Sequence, residues 1–553
     1  MSSDDRRYNS ILKVIDDHLI PDVTAKAERG EVFTPPELVR EMLFGLRKDK
    51  LEKGETSIWG LDDHGNFFDD DEDNRVGGIP TKVWRDPSTK WLDPANGIGN
   101  FPVIAFYKLD YELSKHKDYK DKDKRQKHII ENMLYMMELD KGNCATCRQI
   151  FKKIHPGATP NICCGDTLSM PFSSIIDMFG FGKFDIIMGN PPFNPPKTET
   201  GSSGNSIWQN FVMKSFFVLE DKGYLCFVHP PGWKKPTDED FKPDKFVYGD
   251  YRGQIRQGQV WLVLKEKGNF SFIYTNDQRS KTFGREFLNH FPAVDYYVFQ
   301  KDGDRTKCNS KNVFLGEIKG SFSVPLNYNL KYLPNLITKE TQEILQKVTS
   351  KEGDKPTFSR GIDERGIIWS GKIIDWIYDS NKSGFQYKKH GINASTKKGL
   401  TKDNVNINKV VMNFGGGIDS YNIKYISKDS EIGVLDMSMY SEVKSDKEGK
   451  QLETFFKSDI VKFIFIITQY ASGKMTKNEP LVANSITIPK EGTTDYYKFF
   501  NIEEYKVYIE GMLAHYEEFK ISKRATKTEK AKKPKAGGAR HRFDKTRKRR
   551  RVM

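Results

Sequence analysis

Cysteine is scarce. Six in a chain of 553 residues do not suggest a disulfide scaffold. Long apolar runs are missing as well. The stretch Val461-Lys462-Phe463-Ile464-Phe465-Ile466-Ile467 is too short to span a bilayer. The amino-terminal residues, Met1-Ser2-Ser3-Asp4-Asp5-Arg6-Arg7, lack the apolar core of a secretory signal. These absences predict a soluble intracellular protein with no membrane partner. The bulk of the chain also lacks a charge bias. The formal net charge is +14, but the residues from Ser522 onward hold 15 Lys and Arg against two acids, a local +13. The rest is therefore nearly neutral, and only the tail carries the electrostatic signature of a polyanion-binding arm or a targeting signal.

What remains is a globular composition, 37% hydrophobic and 12% aromatic, long enough for two or more domains. The stretch that organises it is Phe184-Asp185-Ile186-Ile187-Met188-Gly189-Asn190-Pro191-Pro192-Phe193. An apolar run predicts a buried strand, and the prolines end it because they cannot donate to a sheet ladder. Asn190, a stiff Pro-Pro turn and an aromatic ring suit a flat, nitrogen-bearing substrate. The amide oxygen and a proline carbonyl can accept from an exocyclic amine, and the ring can stack. Asn-Pro-Pro is also an ordinary turn, so the company it keeps decides between the two.

That company begins at Phe33-Thr34-Pro35-Pro36-Glu37. Thr34 followed by Glu37 reads as a capping box opening a helix through Met42 and Leu43. An amphipathic helix is predicted ahead of it, within residues 1 to 30, and an acidic solvated loop lies at about 60–80. Trp91-Leu92-Asp93 then ends a short strand in a carboxylate. Pro94-Ala95-Asn96-Gly97-Ile98-Gly99 follows as a glycine turn, and a helix follows the turn. Glycines there let backbone approach a ligand closely. Leu134 to Asp140 is a second strand tipped with Glu138 and Asp140, and a third strand ends near Gly165-Asp166. Strand-like runs recur at 223–229, 270–274 and 294–299. Alternating strand and helix predicts a doubly wound, mostly parallel α/β sheet with its polar motifs at carboxyl ends of strands.

Cys144-x-x-Cys147 and Cys163-Cys164 invite a zinc reading. One pair falls on a helix and the other inside a strand, so the expectation is packing as small apolar groups, with no metal. From about 320 the pattern becomes a separate mixed α/β or β-rich region, ending near 510. Residues 520 to 553 are too polar to bury a core and are expected to be disordered.

In this order, Phe33-Thr34-Pro35, Asp93-Pro94-x-x-Gly97-x-Gly99-x-Phe101, Glu138-Leu139-Asp140, Asp166 and Asn190-Pro191-Pro192-Phe193 resemble the motifs of gamma-class DNA adenine-N6 methyltransferases. These are S-adenosylmethionine-dependent enzymes of bacterial restriction–modification systems and large DNA viruses. The resemblance covers about 30 to 300. It implies a seven-stranded methyltransferase sheet within residues 1–310 and a target-recognition domain at 320–510. It implies site-specific methylation of a flipped-out adenine in double-stranded DNA. Any cognate restriction endonuclease would be a separate chain, since no acidic-acidic-lysine cluster is visible. If the chain is viral, its site of action would be the nucleus, a viral factory or the virion.

By the same resemblance, Phe33, Thr34 and Pro35 would hold the methionine carboxylate end of the cofactor. Asp93, Gly97 and Gly99 would cradle its methionine moiety. Glu138 would bind its ribose, and Asp166 its adenine amine. Asn190 and Pro191 would grip the target amine on the Pro191-Pro192 turn. Phe193 would stack on the base, with Phe299 as the late aromatic partner. Two alternatives stand beside this. The same Asn-Pro-Pro-aromatic site serves RNA guanine-N2 and protein glutamine methylation, and the second alternative is a catalytically silent DNA-binding protein, against which the intact Asn190–Phe193 and Gly97–Gly99 motifs speak.

Overall fold

A computed structural model describes residues 34–194, 206–237, 255–277, 294–305, 307–360, 376–379, 384–387, 407–413, 422–430, 438–470 and 478–532. The helix expected within residues 1–30 and the tail beyond 532 lie outside these residues.

Nine strands form one sheet. They are β1 (Trp91–Asp93), β2 (Leu134–Glu138), β3 (Asn161–Cys164), β4 (Phe184–Gly189), β5 (Leu219–His229), β6 (Gly268–Asn276), β7 (Asp295–Lys301), β8 (Lys307–Phe314) and β9 (Glu317–Pro325). Their order across the sheet is β3-β2-β1-β4-β5-β7-β6-β8-β9. The first five pair in parallel, with Trp91 opposite both Leu134 and Ile186, and Ile187 opposite Leu225. β7 runs antiparallel between β5 and β6. The parallel half is buried almost throughout, which is why β2, β4 and β5 read as continuous apolar runs rather than alternating ones. Strand order reverses between β1 and β4, so the connections leaving their carboxyl ends run in opposite directions and leave a crevice above the strand tips.

Helices α1 (Pro36–Phe44), α2 (Asn100–Leu113), α3 (Lys141–Ile154), α4 (Phe172–Phe179), α5 (Trp208–Val218) and α6 (Gln259–Lys267) accompany the sheet. Among the described residues no helix is long and apolar enough to cross a membrane.

Three expectations need correction. The sheet has nine strands, not seven, and it extends to Pro325 rather than stopping at 310. β8 escaped the periodicity because Ser310, Lys311 and Asn312 are polar yet buried. Asn312 is satisfied by distant partners: its Oδ1 accepts from Thr275 Oγ1 at 3.0 Å and from the Ile337 amide at 2.8 Å. The downstream region is mixed α/β as expected, but it is not separate. It comprises α7 (Lys339–Ser350), a four-stranded antiparallel sheet built on Lys409–Asn413, and α8 (Asp446–Phe456), α9 (Asp459–Ile467) and α10 (Lys506–Lys532). Its apolar side chains join the same core as the large sheet, and Tyr470 donates to the Leu333 carbonyl. Residues 520–532 are not disordered but continue α10, a stretch rich in helix-forming Lys and Ala.

One buried ion pair fixes α1 to the far half of the sheet. Both Glu41 oxygens accept from Lys311 Nζ at 2.8 Å, and Oε1 also accepts from Tyr296 Oη at 2.8 Å. All three side chains are excluded from water. Removing one partner strands a buried charge, whereas removing both does not. Glu41→Ala is therefore expected to destabilise the fold by about 3–5 kcal/mol in denaturant unfolding, and Glu41→Met with Lys311→Met to recover most of that loss.

Candidate active site at the carboxyl edge of the sheet

A single cavity of about 550 Å³ opens over the ends of β1, β2 and β4. Its wall includes Thr34, Asp93, Gly97, Glu138, Asp166 and the whole Asn190–Phe193 run.

The glycine turn forms one side. β1 ends at Asp93, whose Oδ1 accepts from the Ala95 amide at 3.1 Å. Gly97 N–H donates to Glu138 Oε2 at 2.8 Å, so the second strand's acid props the first strand's turn. Glu138 Oε1 takes the Asp140 amide at 2.8 Å. Burial raises the Glu138 carboxyl above its ordinary pKa, and burial with Glu138 nearby pushes Asp93 well up. Gly99 caps α2 at φ +103°, and a Cβ there would sit 2.8 Å from Cys147 Sγ. Only glycine fits the left-handed backbone and the thiol beneath it.

The other side is β4. A Cβ on Gly189 would lie 2.8 Å from Asp93 Oδ1, so the two strand tips meet without an intervening side chain. Asn190, Pro191, Pro192 and Phe193 follow, all on the cavity wall. The Phe193 carbonyl accepts from Ile207 N–H at 3.1 Å, which returns the chain to α5. Asp166 is exposed at the rim, its Oδ1 taking the Leu168 amide at 2.9 Å. Thr167 Oγ1 ties that rim to the Pro94 carbonyl at 2.6 Å.

Thr34 is buried on the wall, but it does not cap α1. The helix starts one residue later than the capping-box spacing requires, with Pro35 as the N-cap and no side-chain cap bond. Pro35 fixes that start without lining the cavity. Instead, the Thr34 carbonyl accepts from Asn100 Nδ2 at 2.9 Å, joining the α1 approach to the glycine turn. Phe33 lies outside the described residues.

Phe299 is a correction. It is fully buried in β7 between Phe270 and Phe216, with ring centroids 5.1 and 6.4 Å away, and is not on the cavity wall. A ring packed into the sheet core cannot stack on a base. The cysteines differ as well. Cys144 on α3 and Cys164 at the end of β3 are joined as a disulfide, because α3 packs back beside β3. No group of three or more His, Cys, Asp or Glu side chains that could hold a metal occurs among the described residues.

Sequence reasoning missed Asn96, Asn100, Leu139, Leu168, Ile207 and Phe211 on the wall. Leu139 had a signal: an apolar residue directly after a strand-ending acid, and 63% exposed in the fold. The others are carried by loops and helix starts whose inward side no local period reveals. Together the wall offers carboxylate acceptors at one end, amide and carbonyl acceptors at the other, and an apolar band between. Such a cavity fits two polar, partly aromatic ligands side by side.

Substitution at Gly99 separates backbone strain from the thiol contact. Gly99→Ala is expected to lower stability by about 1–2 kcal/mol for the left-handed backbone alone, with the thiol contact adding to it. Adding Cys147→Ala should relieve only the contact. Thermal unfolding of the two variants and of Cys147→Ala separates the terms, and an additive double variant would refute the contact.

Residues 81–249 match the family model described as Eco57I restriction-modification methylase. Over 390 residues the chain is 25% identical to an uncharacterized adenine-specific methylase of Mycoplasma pneumoniae, covering 57% of this chain and 79% of that protein. A DrdV–DNA complex matches at 12% identity and a TM-score of 0.45, over 89% of this chain and 59% of that one. A type I restriction-modification assembly matches at 17% identity and a TM-score of 0.30, over 49% of each chain. The chain thus spans about half the length of that relative. The family match takes in the Gly97–Gly99 turn, Glu138, Asp166 and Asn190–Phe193, so residues 81–249 are similar to restriction-modification methylases across the cavity described above.

Proposed function

We propose that the chain is an S-adenosylmethionine-dependent DNA methyltransferase that modifies the N6 amine of adenine in double-stranded DNA. The observation that carries this reading is the one cavity that connects the glycine turn to Asn190–Phe193. The cofactor fits the groups present. Gly97 on the wall leaves room for backbone approach, while Gly99 is off the wall and shapes the turn against Cys147; Asp93, Glu138 and Asp166 match a ligand rich in hydrogen-bond donors. Thr34, with Asn100 behind it, would hold the amino-acid end. Glu138 would accept from the ribose hydroxyls with the lone pairs left over from Gly97 and Asp140. Asp166 at the rim would accept from the adenine amine, with Leu139 against the ring. When bound, S-adenosylmethionine supplies an electrophilic methyl group on a sulfonium.

The protein's part is positioning. An adenine amine is a poor nucleophile because its lone pair is delocalised into the ring. Asn190 Oδ1 and the Pro191 carbonyl would accept from its two hydrogens. This favours a tetrahedral nitrogen and aims the lone pair along the cavity. Pro192 stiffens the turn, and Phe193 presents its ring to the base. Fixed acceptors in a partly dry site need no reorganisation during the reaction. A base inside a duplex cannot reach this cavity, so it would be extruded first. The downstream region would contact the duplex and read its major-groove edges. The basic tail would add sequence-blind attraction to phosphate. The chain would modify without cutting, leaving any cleavage to a separate nuclease.

Asn190→Ala is expected to abolish methyl transfer, by at least about a hundredfold, with S-adenosylmethionine affinity nearly unchanged in calorimetry. Equal loss of both would remove Asn190 from the substrate side. Wild-type chain that labels RNA or protein, and never duplex DNA, in mass spectrometry would overturn the substrate. Removing residues 533–553 should weaken non-specific DNA binding and flatten its dependence on salt, read as the slope of log affinity against log salt.

A further inference from the structure

The substrate end of the cavity is held by a side chain that the reading above leaves without a role. Gln209 lies in the first turn of α5, between Ile207 and Phe211 on the cavity wall, and is itself buried. Its Nε2 donates to the Ser206 carbonyl at 2.6 Å and to the Ile255 carbonyl at 2.9 Å. Its Oε1 accepts from Ser206 Oγ at 3.0 Å and from the Arg256 amide at 2.9 Å. Both donors and both lone-pair positions of the amide are therefore used. Gln257 closes the ring of contacts, donating from Nε2 to Ser206 Oγ at 2.7 Å.

We infer that Gln209 is a positioning residue for the extruded base, acting through the chain that bears Phe193. Ile207 N–H holds the Phe193 carbonyl, and Ser206 precedes Ile207. Fixing Ser206 against the 255–257 segment therefore fixes the far end of the hydrogen bond that orients Phe193. The cofactor end has its own supports, Glu138 beneath Gly97 and Asn100 behind Thr34, and neither touches this cluster. A buried amide with all four positions filled specifies one arrangement. A carboxylate there would face two carbonyl oxygens with no hydrogen to offer.

The inference rests on the proposed DNA reaction, and the test separates the two. Wild type, Gln209→Glu and Gln257→Ala are compared on duplex DNA containing the methylated sequence identified by single-molecule sequencing. Three readouts are taken: kcat/KM for DNA, S-adenosylmethionine affinity by calorimetry, and the fluorescence rise of 2-aminopurine placed at the target adenine. Gln209→Glu is expected to lower kcat/KM for DNA by at least about tenfold and to blunt the 2-aminopurine rise, with cofactor affinity within about twofold. Gln257→Ala, which deletes the Ser206 link and the side chain's packing on Gly232 but leaves the Gln209 amide intact, should give a smaller fall of about threefold in the same readouts. It carries the test if the glutamate variant does not fold. Unchanged DNA kinetics in the folded variant, or a parallel fall in cofactor affinity, overturns the role. Wild type that binds S-adenosylmethionine but methylates no DNA overturns the proposed function and this role with it.

Discussion

Everything at the candidate site depends on two strand tips meeting. β1 and β4 are neighbours in the sheet, and their connections leave in opposite directions. Gly189 lets the backbone of β4 come within van der Waals reach of Asp93, the last residue of β1. Any side chain at 189 would push the tips apart. Because they touch, the glycine turn on one and the Asn-Pro-Pro-Phe run on the other share one cavity rather than lining two. Two ligands that must exchange a group need that shared space, since correct placement of reacting atoms accounts for much of the acceleration.

The rest of the cavity is held by polar contacts between elements distant in sequence. Glu138 supports Gly97, Thr167 supports Pro94, and Asn100 supports the approach to α1. Farther out, Glu41 and Lys311 bind α1 to β8, and Lys234 pairs with Asp295 at 2.9 Å between the turn after β5 and the start of β7. Trp233 Nε1 donates to the same Asp295 carboxylate at 2.9 Å. Such buried pairs contribute little net stability over apolar replacements, but losing one member is costly. They specify which elements face each other, and the cavity inherits its shape from that choice.

The apolar core extends the same logic. The downstream region does not stand off from the sheet but packs into it through Leu333, Ile337, Tyr470 and Phe519. Asn312, Thr275 and Ser310 form a buried polar seam beneath that junction. The downstream region is thus anchored to the same scaffold that carries the strand tips.

The sequence by itself determined the strands that alternate with helices, the acids and glycines at their ends, and the Asn190–Phe193 turn. Those are local features: apolar runs, proline stops and glycine bends act within a few residues of where they occur. Tertiary structure decided what local pattern cannot encode. It added β8, whose buried polar residues find partners far along the chain, and the half-exposed β9 beside it. It sealed Phe299 inside β7, moved the start of α1 past Thr34, and joined Cys144 to Cys164. It also brought Gln209 to Ser206 and Ile255. In each case the deciding energy is a contact between residues remote in sequence. Periodicity reports which side of an element is apolar, not which partner will cover it or satisfy its polar groups.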